Sequence, residues 1–165
     1  MPRYIILFRH GKSDWSADYE SDHNRPISKR GIKASARMGK YLSQINQQPE
    51  LVISSTALRA RDTAEIAIRS GKWGSKLILE ERIYEGTVQA LLSIIKQQND
   101  RYTNICIVGH EPSLSQLIEK CDDFELPKFP TAAMAKIDFD SIKWNDINYE
   151  NGNKIWVKKP KALNQ

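Results

Sequence analysis

Tyr4-Ile5-Ile6-Leu7-Phe8-Arg9-His10-Gly11-Lys12 is the stretch on which the reading of this chain turns. Its apolar run, Tyr4 to Phe8, is continuous rather than alternating, the pattern of a strand buried on both faces of a parallel sheet. Arg9 and His10 break the run, and Gly11 allows the chain to turn sharply where the strand stops. An imidazole beside a guanidinium at the end of a buried strand is where an α/β sheet handles anions. A strand that merely ends in two basic surface residues would look the same, so the weight falls on the rest of the chain.

Outward from that stretch, apolar runs alternate with helical spacing. Residues 13–26 are polar and irregular, end in Asp22-His23-Asn24-Arg25-Pro26, and are long for a plain connection. Ser28 can cap a first helix running to about Ile45, with Ser35, Met38, Leu42 and Ile45 along one face. Pro49 precedes a short strand, Leu51 to Ser54. Ser55-Thr56 opens a second helix that carries Arg59 in its first turn and runs to about Ser70, where Gly71 stops it. A third strand, Leu77 to Leu79, leads to a third helix capped by Thr87, with Val88, Leu91, Leu92 and Ile95 inward. Asn104 to Val108 is a fourth apolar strand, ending in Gly109-His110. Pro112 suits the first position of a fourth helix, whose inner face is Leu114, Leu117, Ile118 and Cys121. After a loop from Phe124 to Pro130 come strands at Ala133 to Phe139 and Lys154 to Val157, the second behind the turn signal Asn151-Gly152. This order predicts one α/β domain over residues 1–165: three layers, with a mostly parallel sheet flanked by helices.

Composition narrows the function. A chain of 165 residues, 40% hydrophobic and 27% charged, suits one globular core. The net charge of +5 favours anionic ligands, yet no basic run is interleaved with aromatics as a single-strand groove needs. Cys106 and Cys121 form neither a CxxC nor a metal-ligand spacing, and two lone cysteines fit a reducing compartment. The chain enters a strand directly, without a signal-peptide pattern, and no run reaches membrane-spanning length. The expectation is a cytoplasmic monomer that binds neither membrane nor nucleic acid.

Three places then line up: Arg9-His10 after strand one, Arg59 after strand two, and His110 after strand four. Ligands of an open parallel sheet bind beyond the carboxyl ends of its strands, so the fold gathers these groups at one edge. Two arginines, two histidines and helix N-termini facing one cleft suit a phosphoryl group.

In these residues the sequence resembles the histidine phosphatase superfamily, also called phosphoglycerate mutase-like. The hallmark appears as Arg9-His10-Gly11, the second arginine motif as Ser54-Ser55-Thr56-Ala57-Leu58-Arg59-Ala60-Arg61-Asp62-Thr63-Ala64, and the second histidine motif as Val108-Gly109-His110-Glu111-Pro112. Asp22 to Ile27 and Phe129-Pro130-Thr131-Ala132-Ala133 are similar to the small SixA-type phosphohistidine phosphatases. The resemblance implies that His10 attacks phosphorus to give a phosphohistidine intermediate that water hydrolyses, with Arg9, Arg59 and His110 on the equatorial oxygens. Gly11 and Arg25 are further phosphate-binding candidates, and His23 with Arg25 belongs either to the pocket rim or to loop structure. The implied chemistry requires no metal or cofactor. Many members place a carboxylate acid after strand three; Glu80, Glu81 and Glu85 lie there, with Glu81 and Glu85 the candidates, and spacing selects neither. SixA-type members are thought to manage without one. Short segments where larger relatives build a lid imply a shallow site open to a phosphorylated protein side chain. The expected activity is hydrolysis of protein phosphohistidine; the alternatives are a small phosphate ester as substrate and a phosphate-binding module without catalysis.

Overall fold

The computed structural model describes residues 3–122, 126 and 128–163. β1 (Arg3–Arg9) and β4 (Asn104–Gly109) lie side by side at the middle of a six-stranded sheet. β2 (Leu51–Ser54) and β3 (Lys76–Leu79) extend it on one side, β5 (Met134–Phe139) and β6 (Gly152–Lys158) on the other, giving the order β3-β2-β4-β1-β5-β6. β1 to β4 run parallel, and β5 is antiparallel to both of its neighbours. The sheet is therefore mostly parallel, with β5 reversed.

The period of two sorts the central strands between two cores. Ile5, Leu7, Leu51, Ile53, Ile105 and Ile107 pack with α3 (Val88–Lys96) and α4 (Ser113–Lys120). Ile6, Phe8, Val52, Cys106 and Val108 pack on the other face with α1 (Lys29–Gln44) and α2 (Leu58–Gly71). Both faces are covered, which is why these strands read as unbroken apolar runs rather than alternating ones.

The expected caps are in place: Ser28 accepts the Gly31 N–H and Thr87 accepts the Ala90 N–H, each at 3.1 Å. α2 begins at Leu58, two to three residues later than Ser55-Thr56 suggested, and α4 begins just after Pro112. Gly71 does not end α2 by adopting a left-handed conformation. It is the last helical residue, and Lys72 takes the left-handed backbone with φ 54°. Gly11 also departs from expectation. No described glycine has a positive φ; a Cβ on Gly11 would lie 2.8 Å from the Gly31 carbonyl and from the Ser35 hydroxyl. Glycine is needed there for close approach to α1 rather than for the turn. Of the expected 124–130 loop, Phe124, Glu125 and Pro127 lie outside the described residues.

Candidate active site

Strand register gathers the two histidine corners. Arg9 pairs with Gly109 and Ser54 with Val108, so β1, β2 and β4 end level with one another. The His10 N–H donates to the Gly109 carbonyl at 3.1 Å and the Ser55 N–H to the Val108 carbonyl at 3.0 Å. His10 and His110 thereby leave adjacent strands with ring centroids 5.2 Å apart. Ahead of β5, the Ala132 N–H bonds to the Arg9 and His10 carbonyls, closing the loop from Phe129 to Thr131 over the same edge.

His10 is 7% exposed, and its Nδ1 lies 2.7 Å from the Gly11 carbonyl. A carbonyl only accepts, so Nδ1 carries the proton and Nε2 keeps its lone pair. Burial, helped by the Arg59, Arg9 and Arg25 cations, pulls the ring down to about 4. It is neutral at physiological pH. Gly11 is held in turn: its N–H donates to Thr63 Oγ1 at 2.8 Å, while the Thr63 hydroxyl donates to the Arg59 carbonyl at 2.7 Å. Gly11 thus serves the site through its carbonyl, with its amide engaged by α2. Burial, reinforced by His10 and Arg59, pulls His110 down to about 3. His110 Nε2 lies 2.8 Å from Ser55 Oγ.

The arginines are brought to the same place. Arg9 Nη1 donates to the Phe129 carbonyl at 3.0 Å. Arg59, 5% exposed, donates from Nη1 to the Asp22 carbonyl at 2.8 Å and from Nη2 to Asp22 Oδ2 at 3.1 Å. The Nε groups of Arg9 and Arg59 are buried and have no protein partner, as is the Ser13 hydroxyl. Arg25 is buried against Asp22 Oδ1, with Nη2 at 2.8 Å, and its guanidinium lies 3.6 Å from the Trp15 ring centroid. Arg9, His10, Ser13 and Arg25 line a cleft of about 300 Å³ with Lys12, Trp15 and Thr131. A larger cleft of about 630 Å³ opens on the other side of Arg9, towards Glu111 and Lys128. Cations and free donors around a neutral imidazole make a site for a tetrahedral oxyanion.

Two contributors went unnoticed in the sequence. Asp22 receives Arg25, Arg59 and the Tyr84 hydroxyl, the last at 2.8 Å. Partial desolvation alone would raise its carboxyl; those donors outweigh it and hold the group below the usual carboxylate range, although the side chain stays half exposed. Burial and then Asp22 push the Tyr84 phenol up to about 12. Asp22 opens the Asp-His-Asn-Arg-Pro stretch read for His23 and Arg25, which was the available signal. His23 packs edge-on against Tyr84 and lies 2.8 Å from Thr56 Oγ1, so it braces the loop. Glu81 and Glu85, the candidate acids, are exposed and hydrogen-bond to none of the site residues among the described contacts; Glu80 pairs with Arg82. Glu111 accepts the Ser115 N–H at 2.9 Å and the Ser115 hydroxyl. Among the described residues, no three His, Cys, Asp or Glu side chains could hold a metal ion, and no helix is long and apolar enough to cross a membrane.

Known proteins resemble this chain in sequence and in fold. An uncharacterised protein of Mycobacterium leprae is 26% identical over 93% of this chain and 99% of its own. Two solved structures superpose over 97% of this chain and 99% of theirs. One is the Agrobacterium tumefaciens protein assigned as the phosphohistidine phosphatase SixA (TM-score 0.82, 24% identity). The other is the protein histidine phosphatase SixA complexed with tungstate (TM-score 0.83, 23% identity). At such identities the likeness concerns the fold. The sequence model of the histidine phosphatase superfamily (branch 1) matches residues 5–91, more than half of the chain, and spans both the Arg9–Gly11 corner and Arg59. On that match, the chain belongs to the histidine phosphatase superfamily.

Proposed function

We propose that this protein is a phosphatase that removes the phosphoryl group from protein phosphohistidine, using residues 1–165 as one domain. One observation carries the reading: a buried, neutral His10 whose Nδ1 proton is tied to the Gly11 carbonyl, leaving Nε2 as the free nitrogen among arginines. Nε2 attacks phosphorus, the bond from phosphorus to the substrate nitrogen breaks, and phosphoryl passes to His10; water then breaks the new bond and releases inorganic phosphate. Arg9 and Arg59 stabilise the equatorial oxygens, and His110 joins them as a neutral donor.

The choice of phosphohistidine over an ester is supported by the carboxylates nearest the site. Asp22 is ionised by its donors and Glu111 is occupied as an acceptor, so neither offers a proton to a departing alkoxide. A phosphohistidine protonated on its other ring nitrogen departs as neutral imidazole and needs no such donor. The fold likeness to SixA accords with this reading. A binding module would have no use for a nucleophile prepared in this way.

The test compares a histidine-phosphorylated protein with para-nitrophenyl phosphate, for wild type and His10→Ala. Wild type should favour the phosphoprotein, and the variant should lose at least about 10³-fold on both substrates, since residual catalysis would come from binding groups alone. Alkaline quenching should trap phosphate on the wild-type chain only. Equal turnover by the variant would remove His10 as nucleophile; faster ester hydrolysis would transfer the reading to a small-molecule phosphatase.

A further inference from the structure

We propose that a cationic groove beside the catalytic cleft docks an acidic surface of the phosphorylated protein. The inference rests on protein phosphohistidine being the substrate. Arg30, Lys33 and Arg37 stand at i, i+3 and i+7, one stripe of α1. The stripe faces the turn at Pro160–Leu163, which brings Lys159 and Lys161 to the opposite wall. Two adjoining grooves of about 220 and 310 Å³ result, and the first shares Lys12 and Thr131 with the cleft that holds His10.

Three features separate this groove from an ordinary solvated face. No acidic side chain lines it among the described residues. None of its six cations, Lys12, Arg30, Lys33, Arg37, Lys159 and Lys161, pairs with a described carboxylate. Such a cluster of like charge repels itself and focuses its field on an incoming anion. The stripe also runs roughly 10 Å along the α1 axis, further than the second anion of a small phosphate ester would need and suited to an acidic helix or patch. On the cleft itself, Trp15 is 68% exposed above Arg25, an aromatic anchor of the sort that protein interfaces favour. A phosphohistidine seated on His10 would put its surrounding surface against both Trp15 and the cationic stripe.

The test uses an acidic and a basic protein, each phosphorylated on histidine with phosphoramidate, and the variant K33E/R37E/K161E, whose changes lie outside the catalytic cleft. Wild type should prefer the acidic phosphoprotein. The variant should lose about 10–10³-fold in kcat/KM on it at low salt, with the deficit shrinking as salt rises. Turnover of free phosphoramidate should match wild type, which also shows that the variant folds. An unchanged rate on the acidic phosphoprotein, or an equal loss on phosphoramidate, would overturn the docking surface alone. If single-stranded RNA or anionic vesicles inhibit at lower concentration than the dephosphorylated acidic protein, the groove belongs to that polyanion instead. Failure of wild type on both phosphoproteins, with esters still hydrolysed, would overturn the substrate reading and the docking surface with it.

Discussion

Asp22 holds in place two of the arginines that surround His10. Its carboxylate receives two arginines and a tyrosine, and its carbonyl takes another Arg59 N–H. Asp22→Asn would keep the shape but weaken the hold on both guanidinium groups. A misplacement of about 1 Å at such groups costs on the order of 10²-fold, so kcat/KM should fall roughly 10–100-fold and inhibition by inorganic phosphate should weaken. A separate readout tests whether Asp22 acts through charge: in an ultraviolet titration the Tyr84 phenol should move from about 12 towards its ordinary 10.0. A variant with a normal rate and an unmoved Tyr84 titration would refute this role. The residue scale also shows what a sequence discloses. Arg9, His10, Arg59 and His110 stood out because each follows an apolar run, a local signal. Asp22 and Tyr84 did not, because they meet their partners across 37 and 62 residues, and only the folded chain brings them together. Glu81 and Glu85 looked promising by position after β3, yet the turn at Glu81–Ile83 leaves both exposed.

At the scale of elements, the site depends on how closely α1 lies on α2, since α2 carries Arg59 and Thr63 and α1 backs Gly11. Gly39 fixes that distance. A Cβ there would stand 2.4 Å from the Ala67 carbonyl oxygen and 2.7 Å from the Ala67 Cα, both backbone and unable to swing aside. Gly39→Ala should therefore force the helices apart, with a stability loss of about 1–3 kcal/mol in urea unfolding. The Trp73 indole, which donates to the Gly39 carbonyl at 3.0 Å, should report the shift by fluorescence. Unchanged stability would mean that the helices slide freely. The strands and the order of the helices were legible because strands covered on both faces need unbroken apolar runs. The reversal of β5 was not, since Met134 to Phe139 presents similar side chains whichever way it runs. Gly71 misled for a related reason: its place near the helix end suggested a left-handed cap, whereas the neighbouring Gly39 carbonyl and Trp73 require it to be small.

For the molecule as a whole, the proposed function and stability oppose each other through the two histidines. Placing His10 and His110 among arginines in a buried cleft keeps His10 neutral, as the proposed attack requires, but makes protonation of either ring a cost to the fold. Each ring has an ordinary value of 6.5 in the unfolded chain and a depressed value, about 4 or about 3, in the folded one. Below pH 6.5 the unfolded chain therefore takes up more protons than the folded chain, and stability falls as pH falls. Asp22 acts in the same direction at lower pH: its depressed carboxyl contributes stability above the unfolded value of 3.8 that is lost as it becomes protonated. Between pH 7 and pH 4.5 the histidines should thus dominate, removing a few kcal/mol and lowering Tm by roughly 5–10 °C in phosphate-free buffer. The double variant His10→Ala/His110→Ala should show a flatter decline over that window, while Asp22→Asn should change the profile mainly below it. Added phosphate should raise wild-type Tm, because an anion seated between the rings binds the folded chain alone. Parallel declines in wild type and the double variant would show that the histidines do not govern acid stability, and would remove the electrostatic basis for a neutral nucleophile.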